Sequence, residues 1–193
     1  MEMVGRNKLE TFMKETYFVQ PLINIWRKSG MLPSNATDVC LCLIDDILKE
    51  KTKLPRSNAT FNLVSEVDRV PKVRGKIFVI SYGKVLCLLG KIALTCLQNE
   101  SIKDIFHEKE MEQLTNTTAK ELTEICIAAK LVSTAPVSDS STINKRLCFQ
   151  NKIMQCFLVA FHLACKGESQ VKDIQSEECE TIQTFLTSLT SVS

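Results

Sequence analysis

Apolar residues along most of the chain recur three and four positions apart, the period of one helix face. Leu9, Phe12, Met13 and Tyr17 open such a pattern. Pro21 interrupts it, and either kinks that helix or starts a second one carrying Leu22, Ile23, Ile25 and Trp26. Ser29-Gly30 followed by Leu32-Pro33 is a helix stop in the usual order. A helix from about Thr37 or Asp38 has a broad apolar face, with Val39, Leu43 and Ile47 beside Cys40, Ile44 and Leu48, and ends at Leu54-Pro55. Phe61, Val64 and Val67 predict a short helix that fails before Pro71. Ile77 to Leu97 reads as a single long helix, in which Gly83 and Gly90 weaken propensity and mark close helix packing.

Ser101 caps the next expected helix, with Ile102, Ile105, Phe106 and Leu114. Thr118-Ala119-Lys120-Glu121 is a capping box, opening a helix whose buried face is Leu122, Ile125, Cys126 and Ala129. Residues 133–142, rich in Ser and holding Pro136, read as an exposed loop. Ile143 to Cys165 is the most apolar helix. Ile153, Met154, Phe157, Leu158, Phe161 and Leu163 cover nearly its whole circumference, so it must be central. Gly167 ends it, and Val171, Ile174, Ile182, Phe185, Leu186 and Leu189 supply a last helix. The expectation is one all-α domain over residues 1–193, with seven or eight helices in antiparallel pairs and flexible ends at 1–7 and 190–193.

The pairs open near Leu9, Ala59, Ile102 and Ile143, in steps of 50, 43 and 41 residues. This spacing resembles HEAT or armadillo repeats, which implies a right-handed helical stack that presents a groove or ridge to a partner protein. No sequence motif recurs at the period, and an irregular helical bundle fits the same helices. A compact domain of the Bcl-2 kind shares the size and the central apolar helix. The Asn-Trp-Gly-Arg motif of that family is absent, and Ile25-Trp26-Arg27 does not replace it.

Composition narrows the class. The chain has 193 residues, 45% hydrophobic and 24% charged, as in an ordinary soluble folded domain. Nine cysteines fall singly along the expected helices, and the first eight residues contain no apolar signal segment. They read as reduced thiols, which points to a cytoplasmic or nuclear home. Against this stand four N-x-[ST] sequons at Asn35, Asn58, Asn99 and Asn116, which would suit a secreted cytokine-like helical bundle with N-glycans. Helix-capping Asn, Ser and Thr produce the same triplets between helices. Lys76, Lys84 and Lys91 break the longest apolar run, so no membrane span is expected.

The net charge of +2 is too small to drive binding to nucleic acid alone. From Lys49 to Lys76, eight basic residues stand against three acidic ones. Their tightest cluster, Arg69, Lys72, Arg74 and Lys76, is a candidate site for an acidic partner and only weakly for nucleic acid, since stacking aromatics are missing. The C-terminal stretch leans acidic, with Glu168, Asp173, Glu177, Glu178 and Glu180 against Lys172, a polarity that suits a partner or an oligomer. Trp26, the sole tryptophan, is the first candidate for a partner-binding hot spot.

Catalytic patterns are lacking. There is no C-x-x-C, and Cys40 and Cys42 project to roughly opposite sides of a helix. His162 and Cys165 share a helix face, but the surrounding helix is apolar and a satisfied core histidine is the simpler account. His107 lies among charges on a wet face, and Asp45-Asp46 diverge by about 100° as a solvated pair. Phosphate, dinucleotide and hydrolase motifs are absent. The expectation is a non-catalytic interaction module or scaffold in an intracellular assembly, with no cofactor and no metal, that binds a peptide or helical partner.

Overall fold

A computed structural model describes residues 14–51, 64–99, 105–110, 119–135, 146–171, 174 and 176–191. The protein is mostly helical, with one small sheet. The α-helices are α1 Thr16–Ser29, α2 Ala36–Lys51, α3 Val64–Val67, α4 Ile77–Ser81, α5 Gly83–Gln98, α6 Ala119–Ala128, α7 Lys152–Lys166 and α8 Ser176–Thr190. A 3₁₀ turn spans Pro71–Val73, and the strands are β1 Ile105–His107, β2 Val132–Thr134 and β3 Arg146–Phe149.

Helix ends fall where local chemistry places them. Pro21 lies inside α1, which runs through it and stops at Gly30. Gly30 has φ 73°, a left-handed conformation that glycine adopts without a Cβ clash, and its N–H donates to the Trp26 carbonyl. Asn35 starts α2: its Oδ1 accepts from the Asp38 N–H at 2.9 Å. One of the four sequons is therefore a helix cap. Asn99 sits at the C-cap of α5, while Asn58 and Asn116 lie outside the described residues. Asn151 caps α7 through the Met154 N–H at 3.0 Å, and Gly167 closes it with φ 75°.

Three expectations are corrected. The long helix from Ile77 is two helices, with Tyr82 between α4 and α5. Residues 105–107, expected in a helix, form β1. The start of the loop expected at 133–142 and the first described part of the helix expected from Ile143 give way to β2 and β3: Ser133 and Thr134 lie on a strand, Ala135 is buried, Arg146–Phe149 form a strand, and α7 begins only at Lys152. The sheet is antiparallel in the order β1-β3-β2, and Cys148 pairs with Ile105 on one side and Ser133 on the other. Leu147 and Phe149 point inward and alternate with Arg146 and Cys148, the period-two pattern of a half-buried strand. Phe106 meets Phe149 with ring centroids 5.3 Å apart.

Leu9, Phe12, Met13, Leu54-Pro55, Phe61, Ser101, Ile102, Asp104, Leu114, Thr118 and Ile143, the ends 1–7 and 192–193, and residues 136–142 lie outside the described residues, as do the side chains of Glu121 and Leu122. At the C-terminal end Thr190 is the last residue of α8, and its hydroxyl donates to the Leu186 carbonyl at 2.9 Å.

The core forms around α7. Every side chain from Met154 to Cys165 is buried, so neighbours surround the helix completely, as its all-round apolarity requires. α5 and α8 flank it, and α2, α3 and β3 also touch it. One buried cluster draws residues from every element, from Phe18 on α1 to Leu189 on α8. α8 reaches back across the chain to the 3₁₀ turn and to α2. Gly90 sets the α5–α7 separation. A Cβ there would run into the Leu158 carbonyl oxygen and lie 2.7 Å from the His162 Cβ.

Candidate functional site

Of the sequence-selected residues, Trp26 is offered to solvent, at 56% exposure. It belongs to a stripe with Val19 and Ile23, at positions i, i+4 and i+7 of α1, beside the stripe that Phe18, Leu22 and Ile25 bury. Just past the helix end, Met31 is 74% exposed and Leu32 is also exposed. The polar border is Arg27 and Lys28 in the last turn. Lys28 Nζ lies 3.2 Å from both Asp46 Oδ2 and Glu50 Oε1, which ties α1 to α2, and Arg27 is exposed beside it.

The basic cluster is divided. Arg69 and Arg74 are exposed. Lys72 Nζ is 3.9 Å from Asp38 Oδ1, and Lys76 Nζ is 3.0 Å from Cys42 Sγ. Burial works against the Lys76 ammonium, but the Cys42 contact and the nearby Asp45 and Asp38 carboxylates outweigh it and raise its pKa. Half of the cluster therefore binds the protein's own α2. Lys72 and Lys76 meet α2 at Asp38 and Cys42, whereas α1 meets it at Asp46 and Glu50. The expected Asp45-Asp46 pair is also divided: Asp45 Oδ1 accepts from the Phe78 and Val79 N–H groups at 2.9 and 3.2 Å and caps α4. Of the acidic C-terminal residues, Glu178 pairs with Lys152 at 3.4 Å, while Glu168 and Glu180 are exposed. Asp173 and Lys172 and the Glu177 side chain lie outside the described residues.

His107 is exposed on β1. His162, 8% exposed, lies in the α5–α7 contact with its Nδ1 3.2 Å from Cys87 Sγ. Cys165, one turn further along the same face of α7, acts on the same thiol. Cys165 and His162 hold the Cys87 thiol down to about 5, Cys165 contributing most, against burial and the negative charge of Glu66. Cys87 and burial in turn push the Cys165 thiol upward. Glu66 on α3 pairs with Lys166 on α7 at 3.3 Å at the rim of this cluster. Sequence reading put His162 and Cys165 on one face but missed Cys87. The glycine one turn away, Gly90, was the signal for close approach, though not for which side chains would meet. Cys40, Cys96, Cys126, Cys156 and Cys165 are buried, and Cys42, Cys87, Cys148 and Cys179 are half-buried.

Among the described residues no group of three or more His, Cys, Asp or Glu is arranged to hold a metal ion, and no helix is long and apolar enough to cross a membrane. The chain matches no protein-family model, no curated protein and no solved structure.

Proposed function

We propose that the protein is a non-catalytic interaction module, a scaffold in an intracellular assembly, that docks an amphipathic helix of a partner along α1. The observation that carries this reading is the exposed apolar stripe Val19, Ile23 and Trp26, continued by Met31 and Leu32. Its i, i+4, i+7 spacing matches the ridge that a second helix packs against. An exposed tryptophan in the middle of such a patch supplies the large contact area typical of binding hot spots. Arg27 at the border favours a partner helix with acidic residues beside its apolar face.

The scaffold itself is best read as an irregular helical bundle. In a solenoid each repeat touches only its neighbours, whereas α8 packs on both α2 and the 3₁₀ turn from the first half of the chain.

The test is capture from the cells that make the protein, using a photo-crosslinker in place of Ile23, compared with the same crosslinker in Val19→Asp and Trp26→Ala proteins whose circular dichroism is unchanged. A helical partner crosslinked at position 23 and lost from both variants supports the reading. A crosslink to a second copy of the chain replaces the partner with self-association. Equal capture by the wild type and both variants overturns it.

A further inference from the structure

The contact between α5 and α7 brings two thiols and an imidazole together: half-buried Cys87, buried Cys165 and His162, whose Nδ1 lies 3.2 Å from Cys87 Sγ. The pairing depends on Gly90, because only a residue without a Cβ lets the Leu158 backbone and the His162 Cβ approach α5 this closely. The two sulfurs differ in access. Cys87 is half-buried and reached from solvent, and Cys165 has no exposed surface. We propose that Cys87 and Cys165 are a hydroperoxide-oxidised thiol pair, with Cys87 as the attacking sulfur, Cys165 as the resolving sulfur and His162 as the residue that positions and polarises Cys87.

The chemistry balances with hydrogen peroxide as the oxidant. The Cys87 thiolate attacks one peroxide oxygen and the O–O bond breaks. The hydroxide that leaves takes up a proton as water, and Cys87 is left as a sulfenic acid. Cys165 sulfur then attacks Cys87 sulfur, the S–O bond breaks, and a second water leaves with the Cys165 proton. Two thiols are oxidised to one disulfide, and one peroxide is reduced to two waters. A thiolate rather than a thiol is the nucleophile in the first step, so the groups facing Cys87 decide its rate. On α7 these are His162 and Cys165, which favour the thiolate, and on α3 Glu66, which opposes it. Lys166, paired with Glu66, sits on the same rim and eases ionisation of Cys165. Cys148 and Cys179 are half-buried thiols with no histidine contact among the hydrogen bonds of the described residues, and they serve as internal controls, while Cys42, 3.0 Å from Lys76 Nζ, tests whether a cation alone suffices.

The experiment uses the full chain, reduced, freed of reductant, and treated with one equivalent of hydrogen peroxide. Remaining thiols are alkylated in denaturant and peptides are mapped by mass spectrometry without reduction. The expected result is a peptide of Cys87 linked to the peptide of Cys165, with two fewer alkylated thiols than the nine in the chain and full recovery on adding dithiothreitol. In Cys165→Ser the sulfenic acid persists on Cys87 and is trapped by dimedone. In Cys87→Ser, Cys165 stays a thiol at the same dose. Native-state alkylation of the wild type near pH 6 covers the case in which a variant does not fold. There Cys87 reacts about tenfold faster than an ordinary thiol, because its larger thiolate fraction outweighs its lower intrinsic nucleophilicity. Oxidation spread evenly over Cys42, Cys87, Cys148 and Cys179, or a disulfide from Cys87 to any cysteine other than Cys165, overturns the proposal.

Discussion

Cys87 Sγ and His162 Nδ1 lie 3.2 Å apart across the α5–α7 contact, although 75 positions separate them in sequence. His162 is one of two groups that hold the Cys87 thiol low, so the pH profile of Cys87 alkylation has its midpoint near 5. Replacing His162 with Gln keeps a buried polar side chain of similar size but removes the imidazole, so the midpoint moves upward. Site-resolved iodoacetamide rates from about pH 4 to about pH 9 measure it. An unmoved midpoint in a folded variant shows that the imidazole does not act on Cys87.

Gly90→Ala destabilises the fold. The added methyl meets the Leu158 carbonyl and the His162 Cβ, so α5 and α7 must separate or shift, an overpacking cost of about 1–3 kcal/mol. Urea unfolding followed by circular dichroism reads this as a lower midpoint. A gain in stability, the usual result of Gly→Ala in an open helix, indicates that the helices do not approach this closely.

Trp26→Ala and Phe18→Ala separate surface from core on the same helix. Trp26 is more than half exposed, so its loss changes stability by at most about 0.5 kcal/mol. Phe18 is fully buried and packs edge-on against Tyr17 at 4.9 Å, so truncation costs about 3–5 kcal/mol. Equal losses in the two variants place Trp26 in the core and remove the support for docking on α1.

Asn35→Ala removes the cap of α2 and leaves the Asp38 N–H without its side-chain acceptor, a loss of about 1 kcal/mol. Asn35→Ser restores an acceptor at the same place and recovers most of it, without setting a second carboxylate against Asp38, whose Oδ2 accepts from the Asn35 amide at 2.7 Å. Thermal melts of the three proteins in one buffer distinguish a cap from a residue whose identity is immaterial.

Stability declines as pH rises past about 9. Burial pushes Cys126 up to about 12 and Cys40 well above the ordinary 9.0. Between 9 and the raised native values the unfolded chain releases protons that the native chain retains, so the slope of stability with pH is negative, about 1 kcal/mol per unit for each buried thiol. Cys87 has the opposite sign. Its contribution is complete above about 9 and is lost as pH falls toward 5. Urea midpoints at about pH 7 and about pH 10 test the decline, and equal midpoints contradict it.

Much of the helical layout is readable from local chemistry, because the signals act within one turn. The glycine ends at Gly30 and Gly167, the break before Pro71 and the central position of the apolar helix all appear in the folded chain. The expected helix over residues 105–107 fails for a different reason. Ile105 and Phe106 fit either period over so short a stretch, and pairing with Arg146–Phe149, some forty positions away, chooses the strand. The alternation of Leu147 and Phe149 with Arg146 and Cys148 carried that signal, and the strongly apolar helix beside it obscured it.

The candidate sites divide in the same way. Sequence alone determined which residues are chemically able: a lone tryptophan on an amphipathic helix, a basic loop, a histidine and a cysteine three apart, and a glycine suited to close packing. Tertiary structure decided how they are used. It left Trp26 in solvent, turned Lys72 and Lys76 toward Asp38 and Cys42, and set Cys87 against His162 and Cys165. Helical periodicity depends on neighbours within one turn, whereas exposure, charge pairing and thiol environment depend on side chains that sequence places tens of residues apart and only packing around α7 brings together.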